Sequence, residues 1–129
     1  MSARRILVVE DNPLNLKLVR DVLIVSGFEV VAAPSGEEGV TLAETCDPDL
    51  VLLDLQLPGI DGYEALRRLR QNSRLDGVPV IAVTAFAMPE DRERAARAGF
   101  DGYIGKPISV RALPSQVTEF LSNGRPHVH

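Results

Sequence analysis

The chain has 129 residues, 45% of them hydrophobic and 25% charged, which is the size and composition of one globular domain with a substantial core. Its formal net charge is −4 and no Lys/Arg cluster stands apart from acids, so nothing marks a direct nucleic-acid partner. The opening MSARR runs straight into a strand pattern, and no apolar stretch approaches the roughly 18 residues of a membrane span, so the expected setting is cytoplasmic, with no membrane contact.

In chain order, Arg5–Val9 reads as a buried strand that ends in Glu10 and Asp11. Asn12 before Pro13 predicts an N-cap, Leu14, Leu18, Val19, Val22 and Leu23 follow at helical spacing, and Gly27 sits where a glycine ends the helix. Glu29–Ala32 is a second strand. Ser35 and Glu38 then have capping-box spacing, although Gly39 inside that helix should cost roughly 1 kcal/mol against alanine. The single cysteine, Cys46, excludes an internal disulfide and reads as a small apolar residue near a helix end.

Leu50–Leu53 is a strand apolar enough to be buried on both faces, and it delivers Asp54. Asp61 and Glu64 cap a third helix, Val78–Val83 forms a fourth strand followed by Thr84, and Pro89 and Gly99 bound a fourth helix. The arginines on these helices (Arg67, Arg68, Arg70, then Arg92, Arg94, Arg97) interleave with acids or apolar positions and are read as solvated faces. Gly102–Ile104 is the fifth strand, ahead of Lys106 and Pro107. Pro114 falls early in a fifth helix, which is expected to be irregular there. Past about Ser122 the periodicity stops, so residues 1–122 are read as one domain and 123–129 as a flexible tail whose His127 and His129 are solvated.

Strands separated by helices must run parallel with helices on both faces, an α/β arrangement. In such sheets the ligand site lies outside the carboxyl ends of the strands. Glu10, Asp11, Asp54, Thr84 and Lys106 all follow strand ends, so three carboxylates, a hydroxyl and an ammonium should meet there. The carboxylates repel unless a cation joins them. Oxygen-only ligands, with the Gln56 backbone carbonyl as a further donor, point to a hard ion, and a site of few protein oxygens completed by water suits Mg²⁺ better than Ca²⁺. Lys106 and Thr84 then suit an anion, and a phosphoryl group meets that need, with Asp54 as the attacking carboxylate. "VLLD" also looks like a Walker-B strand, but no phosphate-binding G-x-x-x-x-G-K loop is present. A small-phosphoester hydrolase would want an acid where Gln56 stands, and a flavin-type loop would not begin with Glu10-Asp11. An unphosphorylated scaffold of the same fold is the remaining rival.

These residues resemble the receiver domain of two-component response regulators, the family of the single-domain chemotaxis regulator. The likeness runs from residue 4 to about 121, through ILVVEDNPLN, PDLVLLDLQLPGIDGYE, PVIAVTAFA and GYIGKPI. EDNPLNLKL, VTAFAM and GKPISV are similar to stand-alone cell-cycle regulators of alphaproteobacteria and to hybrid-kinase receivers. The resemblance implies a flavodoxin-like doubly wound (βα)5 fold, its five-stranded parallel sheet ordered 2-1-3-4-5. It implies Asp54 as phosphoacceptor, Glu10, Asp11, Asp54 and Gln56 as Mg²⁺ ligands, Lys106 as the phosphate-binding lysine, Thr84 as the switch hydroxyl and Tyr103 as the switch aromatic. Glu10 stands where an aspartate is commoner, a longer side chain that can reach the metal through water.

The implied partners are a sensor histidine kinase or histidine phosphotransfer domain as donor and a downstream protein that reads the face of helix four, strand five and helix five. Such a protein is no enzyme beyond its own phosphorylation and dephosphorylation, and it is a monomer or a weak phosphorylation-dependent dimer. Pro114 is expected on that output face. Gln56 and Phe86 should flank the path of a hydrolytic water, and an apolar ring at Phe86 implies a lengthened phosphoryl lifetime.

Overall fold

The computed structural model describes residues 3–86 and 88–124. Strands β1 (Arg5–Val9), β2 (Glu29–Ala33), β3 (Leu50–Asp54), β4 (Val80–Thr84) and β5 (Gly102–Gly105) alternate with helices α1 (Pro13–Val25), α2 (Gly36–Cys46), α3 (Gly62–Arg70), α4 (Pro89–Ala98) and α5 (Leu113–Asn123). All strand pairs are parallel and the sheet order is β2-β1-β3-β4-β5. The expected α/β architecture and strand order are therefore both present.

Alternation along each strand divides the core between two layers, because successive side chains point to opposite faces. Leu7, Val9, Val51, Leu53 and Ala82 pack with Ala43, Leu66, Ala95 and Phe100 from α2, α3, α4 and the loop after α4. Ile6, Val8, Leu50, Leu52, Ile81 and Val83 pack with Val19, Leu23, Leu113 and Val117 from α1 and α5. The caps follow the sequence: Asn12 accepts from the Leu14 and Asn15 N–H groups, Ser35 from Glu38, and Asp61 from Glu64.

Several boundaries move for identifiable reasons. Val78 does not open β4, because its N–H is spent on the Leu75 carbonyl at 3.0 Å in a short 3-10 turn, Ser73–Leu75. The strand begins at Val80, whose N–H donates to Asp101 Oδ2 at 2.9 Å. Pro114 does not disturb a helix either. Helix α5 starts at Leu113, so Pro114 lies in the first turn, where a missing N–H costs nothing. It lies beside Ser26 and Phe28, just past the end of α1. Asn123, expected in the tail, is the last residue of α5; His127 and His129 lie outside the described residues.

Arg67 and Arg68 do lie on a solvated face, both bonded to Glu64, whose carboxyl they hold down to about 2. Arg70 does not. Its guanidinium donates to the Leu75 and Val78 carbonyls at 2.6 and 2.8 Å and to Asp101 Oδ2 at 2.9 Å. Because Asp101 also holds the first N–H of β4, this part-buried pair ties α3, the 3-10 turn, β4 and β5 together at the amino ends of the strands.

Gly39 resolves the conflict in α2. A Cβ there would stand 2.7 Å from Val9 Cγ2, so the glycine lets α2 lie close on β1. Overpacking costs about 1–3 kcal/mol and the helix gains about 1 kcal/mol from alanine, so Gly39→Ala should lose about 1 kcal/mol in urea unfolding. Gly77→Ala, where nothing lies within 4 Å of the added carbon, is the control and should shift by less than about 0.5 kcal/mol. A Gly39→Ala protein as stable as its parent would contradict this packing.

Candidate functional site

Parallel strands place their last residues on one rim, and the sheet order reverses around β1, between β2 and β3. The side chains singled out by their spacing meet at that rim. Asp54 closes β3, paired in register with Val83, and its side chain is 2% exposed. Glu10 and Asp11 follow β1; Glu10 is buried and Asp11 is exposed. Oxygen atoms of Glu10, Asp11 and Asp54 lie within 4.8 Å of one another.

Each oxygen of the two buried acids has a distinct partner. Asp54 Oδ1 accepts the Gln56 N–H at 2.8 Å, while Oδ2 accepts from Lys106 Nζ at 2.6 Å. Glu10 Oε2 accepts the Asn12 N–H at 3.0 Å, while Oε1 lies 3.1 Å from the same Lys106 nitrogen. The backbone thus fixes one oxygen of each acid, and one flexible ammonium bridges the other two. Burial raises the Glu10 carboxyl above its ordinary range; the Asn12 N–H and Lys106 oppose that rise and Asp54 adds to it. Burial works to lower the Lys106 ammonium, but its bonds to Asp54 and Glu10 outweigh burial and hold it above its ordinary value. The expected charge problem of clustered acids is real, and the lysine already answers part of it.

The backbone sets these positions tightly. The Lys106 N–H donates to the Thr84 carbonyl at 2.8 Å, continuing the β4–β5 pairing one step beyond Gly105. The Lys106–Pro107 peptide bond is cis. Gly62, at the start of α3, is a position the sequence reading gave no role: a Cβ there would stand 2.6 Å from the Asp54 carbonyl and 2.7 Å from Leu55 Cα. Only glycine lets α3 begin this close to the end of β3. The signal was its place directly after the N-cap Asp61.

Thr84 is fully buried, and its Oγ1 accepts the Phe86 N–H at 3.1 Å. A hydroxyl that accepts still carries a proton to donate. Gln56 and the exposed Phe86 both line a cavity of about 180 Å³ with Asp61, Tyr63, Asp91 and Arg94. Lys106, with Asn15, Leu18, Val19, Pro107 and Ile108, lines a separate apolar groove of about 340 Å³. Tyr103 stands three residues before Lys106, half-buried beneath the Arg92 guanidinium, which lies 5.2 Å from the ring centre. Arg92 and Arg94, read from sequence as merely solvated, each cover an aromatic ring.

The geometry makes Lys106 the sole bridge recorded between Glu10 and Asp54 among the described residues. Its replacement by methionine leaves two buried carboxylates uncompensated, a loss of about 3 kcal/mol in urea unfolding at neutral pH. A second change, Asp54→Asn, should recover part of that loss. A Lys106→Met protein as stable as its parent would show that the acids do not depend on the ammonium.

The chain is similar to known proteins along nearly its whole length. The chain is 43% identical over 120 residues to the polar-differentiation response regulator DivK of Brucella ovis, covering 93% of this chain and 98% of that one. Among solved structures it resembles a CheY-like response regulator receiver domain protein from Methanospirillum hungatei, with TM-score 0.86, 33% identity and coverage of 95% and 96% of the two chains. It also resembles the receiver domain of a sensor histidine kinase from Pseudomonas aeruginosa, solved with a magnesium ion coordinated in the active-site cleft. There the TM-score is 0.85 with 35% identity, over 94% of this chain and 99% of the other. A family model matches residues 6–118, nearly the whole of the described fold, and the chain belongs to the response regulator receiver domain family.

Proposed function

We propose that Asp54 accepts a phosphoryl group from a phosphohistidine donor, a sensor kinase or a phosphotransfer domain, and that the resulting aspartyl phosphate alters the α4–β5–α5 face read by a protein partner in the cytoplasm. The observation that carries this reading is the placement of Lys106 Nζ, 2.6 Å from Asp54 Oδ2 and 3.1 Å from Glu10 Oε1, at the rim where the strands end.

Three oxygen-bearing side chains within 4.8 Å, two of them buried and none a nitrogen or sulfur donor, suit a hard divalent cation. Glu10, Asp11, Asp54 and the Gln56 backbone carbonyl would hold a Mg²⁺. When bound, the ion supplies positive charge against the oxygens of the transferring group. One Asp54 oxygen attacks phosphorus, the new O–P bond forms as the P–N bond to the donor's imidazole breaks, and the imidazole, protonated on its other nitrogen, takes the P–N electron pair and leaves as the neutral base. Lys106 moves with its charge from the free carboxylate to the phosphoryl oxygens, and Thr84 donates its hydroxyl proton to one of them. The protein turns over only itself: water later attacks phosphorus, the O–P bond to Asp54 breaks, inorganic phosphate leaves and the carboxylate is restored.

Thr84 and Tyr103 share one face of the sheet, since Ala82 is in register with Tyr103, Thr84 with Gly105, and Ala82 lies in the layer beneath α4. A Thr84 that turns toward the phosphoryl group therefore changes the space that Tyr103 borders. Such a shift of two arrangements is the output.

Intact mass after incubation with acetyl phosphate tests the reading. The expected result is a gain of one phosphoryl group with Mg²⁺, none with chelator and none in Asp54→Asn. A folded protein that gains nothing from acetyl phosphate or from a phosphohistidine donor would favour an unphosphorylated scaffold. The exposed Phe86 ring beside the site offers water no hydrogen bond, so Phe86→Glu should shorten the phosphoryl lifetime by about tenfold or more, within the usual reach of one positioned acid–base group. Equal lifetimes of parent and variant would remove Phe86 from the account.

A further inference from the structure

Helix α4 lies on the sheet with Ala95 as its only buried residue. Arginine–aromatic contacts supplement this thin apolar contact. The Arg94 guanidinium lies 4.5 Å from the centre of the Tyr63 ring, and that ring meets Phe100 edge to face at 5.7 Å. The Arg92 guanidinium lies 5.2 Å from the centre of the Tyr103 ring.

The two rings are held differently. Tyr63 is fixed between an arginine and a phenylalanine. Tyr103 stands on the edge strand β5, and its hydroxyl is buried with no hydrogen-bond partner among the described residues. A buried phenol O–H without a partner carries a desolvation cost that is recovered when the ring moves to reach water or an acceptor. The face of the ring is therefore attracted to α4 while its hydroxyl favours release.

We infer that Arg92 is a positioning residue: its guanidinium latches Tyr103 to α4 and sets how readily the α4–β5 surface leaves the arrangement seen here. The inference deepens the reading of Tyr103 as the link between Asp54 and the output face, and rests on it. Linkage makes the effect reciprocal. If occupation of the phosphoryl site shifts Tyr103, then removal of the latch shifts the affinity of that site by the same factor. A cation–π contact at a partly exposed position corresponds to about two- to fivefold in such an equilibrium.

The chain has two tyrosines and no tryptophan, so in a Tyr63→Phe background all emission comes from Tyr103. In that background Arg92→Met should raise acrylamide quenching about twofold or more, with Arg92→Lys between it and the parent. Arg94→Met, which faces the other ring, should quench as the parent does. The affinity for beryllium fluoride with Mg²⁺, a phosphoryl mimic, should shift about two- to fivefold in Arg92→Met alone. Parental quenching in a folded Arg92→Met protein would overturn the latch, and changed quenching with unchanged affinity would overturn its coupling to the site. If the parent does not bind the mimic, the phosphorylation reading fails, while the quenching comparison still decides whether Arg92 holds Tyr103.

Discussion

A carboxylate at the end of a strand buried on both faces requires a counter-charge, and in this protein Lys106 provides it to Asp54 and Glu10 at once. Buried ion pairs are poor sources of net stability, because desolvation offsets most of the attraction. Their value here is poise. Each acid keeps one oxygen on a backbone N–H, of Gln56 or Asn12, and shares its other oxygen with one mobile ammonium. When an anion arrives, the lysine can transfer its charge while the backbone continues to hold the acids in place. The fold serves this arrangement: five parallel strands bring their last residues to one rim, and helices on both faces exclude water from the strands that carry them.

The two ends of the sheet are held in contrasting ways. At the amino ends, the Arg70–Asp101 pair and its backbone bonds fasten α3, β4 and β5 together. At the carboxyl ends, glycines allow close approach: Gly39 beside Val9, Gly62 beside the Asp54 carbonyl. Helix α4 departs from both schemes. It has one buried residue and rests on exposed arginines over aromatic rings. An element with little buried apolar area is the one that moves at least cost, and α4 borders both Tyr103 and the cavity shared with Gln56 and Phe86.

Most of this was legible in the order of residues. Apolar runs of β-branched and leucine residues marked the strands, Asn12, Ser35 and Asp61 marked helix starts, and the polar residue after each run marked the rim. What escaped depends on contacts distant in the chain. Nothing local distinguishes Arg70, which is paired with Asp101, from Arg67 and Arg68, which face solvent. Gly39 looked like a weakness of α2 because the need for it comes from Val9, on another element. The acid cluster appeared from sequence to demand a metal as its first counter-charge; the structure gives that place in part to Lys106, a role visible only once β3 and β5 are aligned through β4.

The Glu10–Asp54–Lys106 cluster thus acts as one exchangeable binding site coupled to the α4–β5 surface. Amide chemical-shift mapping of the isotope-labelled protein, with Mg²⁺ added first and beryllium fluoride second, tests it most directly. Shifts are expected at Glu10, Asp11, Asp54–Gln56 and Lys106 with metal, extending to Thr84, Tyr103 and α4 with the mimic, and none around Arg70 and Asp101. Shifts confined to the metal step, or scattered away from the strand ends, would contradict it.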